Sequence, residues 1–279
     1  MHQQMRAAAR LLVCALAAVL LTAATGYQVN HGTNQDITEW SVCKNVANNS
    51  PTGKAIFVPT KTSTEWAAFY NASTPGITIA NCGCTVTPGS QSYTTAGSFS
   101  FTIPCYNTLT VQVWGGGGGG AGATSGSRKA GTTGGASNFD GALVANGGVH
   151  APTSASGGAG GTASGGTTNT TGAAGTATVG GAGANGGSGG GSSGNNKPGK
   201  PGSAPGGGGS GGYFLAVMGG STARGGGGGG GGYTTRSYAS GVYTVGTSVN
   251  ATVGAGGVGG NSTYDGGAGA VGRVTITWN

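Results

Sequence analysis

Charge is scarce in this chain. Only 6% of the 279 residues are charged, with 12 Lys and Arg against 5 Asp and Glu, and there are three histidines. General acid–base catalysis needs carboxylates or imidazoles in close pairs with tuned pKa values. Beyond the leader described below, the candidates are Asp36, Glu39, Glu65, Asp140, Asp265, His31 and His150. His31, Asp36 and Glu39 lie near one another in sequence, but a solvated turn explains them better, and His150 and Asp140 flank a glycine-rich loop as surface residues. No catalytic, metal-ligating or cofactor-binding residue is expected. Long apolar runs are missing too, since no stretch reaches about 18 consecutive apolar residues, which argues against a transmembrane helix. Proline, at nine residues, is too rare for collagen, and Gly115–Gly120 and Gly225–Gly232 are unbroken runs where a triple helix needs Gly at every third place. A phosphate-cradling glycine loop needs a strand, a helix and usually a Lys-Ser/Thr pair, and no helix follows any run here.

What the chain has is glycine, 67 residues, against about 7% in an ordinary protein. Only seven of them precede position 115. The N-terminus has a different character. Arg6 and Arg10 precede the apolar run Leu11–Leu21, and small residues from Thr22 to Gly26 follow, which is the order of a secretory signal peptide. Cleavage is expected after Ala24 or Gly26. An N-terminal membrane anchor is the competing reading, but the run is too short to span a ~30 Å hydrocarbon core at ~1.5 Å per residue. Cys14 lacks the small preceding residue of a lipobox.

Four cysteines remain after that leader: Cys43, Cys82, Cys84 and Cys105. An even number in an exported chain points to two disulfides. Cys82 and Cys84 are too close to bridge comfortably, leaving Cys43 with Cys82 and Cys84 with Cys105, or Cys43 with Cys84 and Cys82 with Cys105. A four-thiolate zinc site would want paired C-x-x-C spacing, which is missing. The mature charge of about +5 is spread over Lys44, Lys54, Lys61, Arg128, Lys129, Lys197, Lys200, Arg224, Arg236 and Arg273. It looks like a solubilising surface and not a nucleic-acid stripe.

Three regions follow: the leader at 1–26, a small disulfide-tied module at 27–88 and a glycine-rich β domain at 89–279. In the module, Ala55–Val58 and Gly76–Ala80 are predicted strands. Thr62 to Glu65 has the spacing of a capping box ahead of Trp66, Phe69 and Tyr70, which predicts one short helix. From residue 89 the period becomes two: Phe99, Phe101 and Ile103, then Leu109, Val111 and Val113, and at the end Val274, Ile276 and Trp278. Val242 to Val253 is predicted extended. Strands at 92–114 and 242–278 would thus bracket the glycine tract as an insertion. A flexible Gly/Ser linker is the bland reading of that tract. Apolar clusters at Phe139, Leu143 and Val144 and at Tyr213 to Met218 argue against it, as does Gly-Gly-x spacing at Gly157, Gly158, Gly160 and Gly161. The alternative is packed polyglycine-II-type helices, whose bare backbones come close enough to bond one another. The fold class expected is therefore mainly β, a β-sandwich-like sheet joined to that insertion.

The ordered series Leu109-Thr110-Val111-Gln112-Val113-Trp114 into Gly115–Gly120, Ala136-Ser137-Asn138-Phe139 with Ala145-Asn146-Gly147-Gly148, Ala204-Pro205-Gly206, Gly225 to Tyr233, and Gly272 to Trp278 resembles the glycine-rich domains of phage tail-fibre and tail-tip adhesins and of bacterial surface proteins. The resemblance covers about residues 89–279 and implies a β-sandwich joined to packed polyglycine helices, with an adhesive role as a family tendency. The export signal departs from phage virion proteins, which are assembled in the cytoplasm, and points to a secreted or cell-surface version. Residues 27–88 carry no such resemblance.

Three functions follow as expectations. The first is a secreted structural or adhesive protein that presents loops to a surface or to its own copies, without nucleic acid and without a stable membrane span after cleavage. The second is an extracellular module for glycans or, less favoured, ice, with Phe139, Tyr213, Phe214, Tyr233 and Tyr238 as ligand-facing aromatics. The third, a secreted hydrolase, is disfavoured for want of a catalytic constellation. Five N-x-[ST] triplets begin at Asn48, Asn71, Asn169, Asn250 and Asn261, and in a chain so rich in these residues they are read as coincidence.

Overall fold

The computed structural model describes residues 86–216 and 220–279, together with the backbone of four earlier strands. These are β1 (Gln28–His31), β2 (Trp40–Cys43), β3 (Lys54–Phe57) and β4 (Ile77–Ala80), forming one mixed sheet in the order β1-β3-β2-β4. The strands predicted at 55–58 and 76–80 correspond to β3 and β4. The signal segment, the helix predicted after Thr62, Cys82 and Cys84 lie outside the described residues. The chain divides into two compact units, one comprising Met1–Val86 with Ser240–Thr247, the other Thr87–Ala239 with Ser248–Asn279.

The second unit is mainly β, with two five-stranded antiparallel sheets. One contains β5 (Gly89–Tyr93), β7 (Thr108–Trp114), β13 (Thr168–Thr170), β16 (Tyr233–Ala239) and β18 (Arg273–Trp278), in the order β13-β16-β7-β18-β5. The other contains β6 (Gly97–Thr102), β10 (Ser137–Phe139), β11 (Leu143–Ala145), β12 (Ala163–Ser164) and β17 (Ser248–Val253), in the order β12-β11-β10-β17-β6. Strands β10 and β11 pack across on β7. Period-two patterning explains the layer between the sheets: Leu109, Val111 and Val113 from β7 and Val274 and Ile276 from β18 are fully buried against Phe139, Leu143 and Ala251. On the outer face Thr110 and Ser237 hydroxyls bond each other at 2.8 Å.

One extended prediction needs correction, and one hairpin is added. Residues 242–247 are not strand; the chain leaves the extended region at Gly241 (φ 87°) and Gly246 (φ 82°), so only Ser248–Val253 pairs, with β6 and β10. The β10–β11 hairpin was not foreseen. Its turn has Asp140 at φ 53° and Gly141 at φ 64°, the two left-handed positions that an Asp-Gly pair supplies to a tight hairpin, and it closes with the Ala142 N–H donating to the Phe139 carbonyl.

Between the strands the glycine tract is ordered, in segments that are neither α-helix nor strand. The 115–121 tract leaves β7 and shows the pattern. The N–H groups of Gly115, Gly118 and Ala121 donate to Gly232, Gly229 and Gly226; those of Gly116 and Gly119 to Gly135 and Thr132; those of Gly117 and Gly120 to Ala270 and Gly267, all at 2.8–3.0 Å. Its carbonyls accept with the same step, Gly116 and Gly119 from Gly148 and Ala151, Gly118 and Ala121 from Gly209 and Gly212, Gly117 and Gly120 from Gly257 and Gly260. Every third residue thus faces the same neighbour, and one tract is ringed by six. The tracts 206–212 and 225–232 are ringed in the same way, and these three also bond one another. Around them run nine outer segments: 131–135, 146–151, 157–162, 172–176, 179–184, 187–190, 197–203, 254–260 and 266–272.

This arrangement accounts for the two textures of glycine in the sequence. An inner tract has backbone on all sides, so it can carry almost no side chain. A Cβ on Gly117 would land on the Gly207 carbonyl, one on Gly118 on that of Val149, and one on Gly228 on that of Gly118. The exceptions, Ala121 and Ser210, carry small side chains and are fully buried, with the Ser210 Oγ accepting the Lys200 N–H at 2.7 Å. Outer segments have one open side, so every third position can carry a side chain. In 254–260 the exposed positions are Ala255 and Val258, with Gly256, Gly257, Gly259 and Gly260 turned inward. Unbroken runs are therefore interior and Gly-Gly-x runs peripheral.

Replacing Gly228 by Ala is expected to cost about 3 kcal/mol through overpacking against backbone that cannot retreat. Gly191 has open space where a Cβ would sit, and its replacement by Ala is expected to stay within ~0.5 kcal/mol of the parent. Thermal unfolding of the two purified variants followed by circular dichroism tests the contrast, and equal midpoints would refute the packing.

Candidate functional site

The glycine segments have two distinct ends. Eight of them are continuous with sheet strands: β7 runs into 115–121, 225–232 into β16, 266–272 into β18 and β17 into 254–260, with 131–135, 146–151, 157–162 and 172–176 flanking β10, β11, β12 and β13. The opposite, distal end is closed by six connectors, around 122–130, 152–156, 177–178, 191–196, 213–224 and 261–265. Two of these fold as ribbons, β8 (Gly122–Thr124) with β9 (Ser127–Lys129), and β14 (Tyr213–Phe214) with β15 (Ala223–Arg224).

The distal connectors are sewn together by polar contacts. The Gly126 N–H donates to the Ser221 carbonyl, Ala123 bridges Tyr264, and the hydroxyls of Thr124 and Thr263 lie 2.8 Å apart. Lys197 bridges Tyr213, and the Leu215 N–H donates to Asn196 Oδ1 at 2.8 Å. Phe214 and Tyr264 rings pack at 6.0 Å. The Arg224 guanidinium lies 4.0 Å over the Tyr213 ring, and Arg128 Nε donates to the Arg224 carbonyl at 2.6 Å.

Charge is distributed unevenly between the two ends. Arg128, Lys129, Lys197 and Arg224 all fall in or beside the distal connectors, and Lys200 lies one turn inward, where its N–H meets Ser210. Lys129, Lys197, Lys200 and Arg224 are exposed and Arg128 is half-buried. Asp265 is the sole carboxylate there among the described residues, and it accepts the Ser262 N–H. Toward the sheets, Arg236 lies 5.1 Å over Tyr238, Arg273 lies 5.8 Å over Trp114, and Asp140 sits in the β10–β11 turn. Charges that look thinly spread along the sequence are thus gathered at one end. The available signal was their position, since all five lie in stretches between glycine runs, Arg128 and Lys129 on the short ribbon strand β9 and Arg224 on β15.

The five aromatics predicted to face a ligand are mostly committed to packing. Phe139 is fully buried between the sheets, and Tyr238 is buried on β16. Tyr233 is buried at the seam between strands and glycine segments, beside Trp114 at 5.0 Å, with its hydroxyl accepting from Gln112. Tyr213 is buried under Arg224, and Phe214 is half-buried. The correction has a simple cause. In a core with few side chains, the large rings are needed where strands meet glycine tracts.

Of the other residues considered, His150 bonds Thr133 through Nδ1 at 2.9 Å, while Asp140 occupies the β10–β11 turn, and nothing brings the two together. Cys105, in the β6–β7 connection, is disulfide-bonded; Cys43 is placed only as the last residue of β2. Among the described residues no cluster of His, Cys, Asp and Glu could hold a metal ion, and no helix is long and apolar enough to cross a membrane. Burial raises the Tyr93 phenol above its ordinary pKa of 10.0; its ring stacks on Phe99 at 4.7 Å, in the sheets and away from the distal connectors. Comparison with protein-family models, with curated proteins and with solved structures finds no match for this chain.

Phe139→Ala is expected to lower stability by about 3–5 kcal/mol, the cost of emptying a closed aromatic site. Phe214→Ala, at a half-buried position, is expected to cost less than half of that. Denaturant melts of both variants measure the difference; a Phe139→Ala protein as stable as the parent would return that ring to the list of surface residues.

Proposed function

We propose that this chain is an exported structural or adhesive protein in which a rigid glycine-rich bundle carries its distal connectors to a surface or to a partner. The glycine segments are polyglycine-II-type helices in this reading, joined to a β-sandwich and preceded by a small disulfide-tied module. The observation that carries it is the three-residue step of the backbone hydrogen bonds, by which each inner tract is bonded to six neighbours. Three residues per turn at about 3.1 Å each is the geometry of this helix type, and seven residues then span about 20 Å. A lattice of that kind supports stiffness, because bending one segment breaks hydrogen bonds to several others with no water available to replace them.

Presentation is favoured over catalysis by the same features. Four of the five candidate rings, Phe139, Tyr213, Tyr233 and Tyr238, are buried, the described carboxylates are few and separate, and the distal loops are cross-linked and polar. The resemblance to phage and bacterial adhesins and the signal-like leader support an extracellular setting, with self-association or a surface glycan as the partner.

Beads coated with the mature protein test this on cells of its own source. Retention is expected for the wild type and is expected to be lost when residues 214–222 are replaced by a Gly-Ser linker, with the melting curve kept close to the parent. Beads that are never retained, or retention indifferent to that replacement, would overturn the proposal.

A further inference from the structure

We infer that the distal end binds an acidic polysaccharide, a polymer of uronate-type sugars, through Arg128, Lys129, Lys197 and Arg224; this rests on the presentation reading and names the partner's chemistry. Gathering these cations is costly for the protein alone. Like charges repel, and strands β9 and β15 hold the Arg128 side chain against the Arg224 backbone at 2.6 Å. Only Asp265 offers a described carboxylate at this end, and it is engaged with the Ser262 N–H. An incoming polyanion would supply the missing counter-charge, and a stiff lattice would hold the cations in place before it arrives, lowering the ordering cost of binding.

The neighbourhood selects among polyanions. Ser125, Ser127, Asn195 and Ser221 are exposed beside the cations, and hydroxyls and amides of this kind match sugar hydroxyls as donors and acceptors. A lipid surface would ask for apolar side chains to insert, but among the described residues the exposed large apolar ones, Val149, Val242 and Val258, all lie outside the distal connectors. Single-stranded nucleic acid would ask for open aromatic faces on which bases stack. Tyr213 is buried beneath Arg224, and Phe214 packs against Tyr264.

Immobilised polygalacturonate is the probe, with dextran as the neutral control and biolayer interferometry of the mature chain as the readout. Wild-type protein is expected to bind polygalacturonate and not dextran, and the binding is expected to fall as salt rises from 50 to 500 mM because exposed charges are screened. The double variant Lys129→Gln/Lys197→Gln alters two exposed side chains and is expected to weaken binding about tenfold. Arg224→Lys, which keeps the charge, should lose less than Arg224→Gln. Arg236→Gln, on β16, should bind as the wild type does.

Absence of polygalacturonate binding, equal binding by the double variant, equal binding to dextran, or tighter binding to phosphatidylserine vesicles or to single-stranded DNA would each overturn the inference. The bead assay separates the two levels. Retention that depends on residues 214–222 but not on the cations would remove the acidic-polysaccharide inference and leave presentation standing. Retention indifferent to both would remove presentation as well.

Discussion

The structure depends on one constraint, that a buried peptide group must find a hydrogen-bond partner. Most proteins meet it with α-helices or sheets and fill the space between with side chains. Here three inner tracts have almost no side chains to fill anything, and the partners of their N–H and C=O groups are the backbones of neighbouring segments. Close approach is both the means and the limit: Gly228 can bond to its surroundings because nothing projects from it, and a single Cβ would strike the Gly118 carbonyl. Packing and hydrogen bonding, which are separable elsewhere, are the same requirement in this bundle.

The paired sheets solve a problem the glycine segments cannot solve alone. Glycine pays a large entropy cost on ordering, and a bare tract has no side chain to fix its register. Strands do have one. Leu109, Val111 and Val113 set the register of β7 against β16 and β18, and each of these strands passes directly into a glycine segment. Register is therefore carried from the period-two region into the period-three region. Trp114, Tyr233 and Ala184 mark the seam, and the Trp114 indole N–H donating to the Asn185 carbonyl ties the two regions together.

A consequence for function is the sorting of chemistry along the glycine segments, from the sheets to the distal connectors. Side chains able to contact a partner are excluded from the interior and sparse on the outer segments. They accumulate in the distal connectors, where Arg128, Arg224 and Lys197 meet across loops separated by many residues in the chain. Variation in these loops leaves the lattice untouched, provided the glycine steps on either side are kept.

Much of the lattice was legible in the residues themselves. Alternation at 99–103, 109–113 and 274–278 marked strands because burial of one face has a fixed period, and the difference between unbroken Gly runs and Gly-Gly-x runs already held the difference between inner and outer segments. The candidate site was not legible to the same degree. Tyr233 and Tyr238 looked like loop aromatics because the strand that buries them, β16, takes its alternation from partners far away in sequence. Residues 242–247 carried the apolar content of a strand but are turned out of it at Gly241 and Gly246. By itself the sequence determined which stretches could forgo side chains, since only glycine permits such close backbones. The tertiary structure alone decided which tract lies beside which, and so which cations share one end, because the hydrogen bonds of bare backbone carry no residue-specific label and their pairing is set by the sheets.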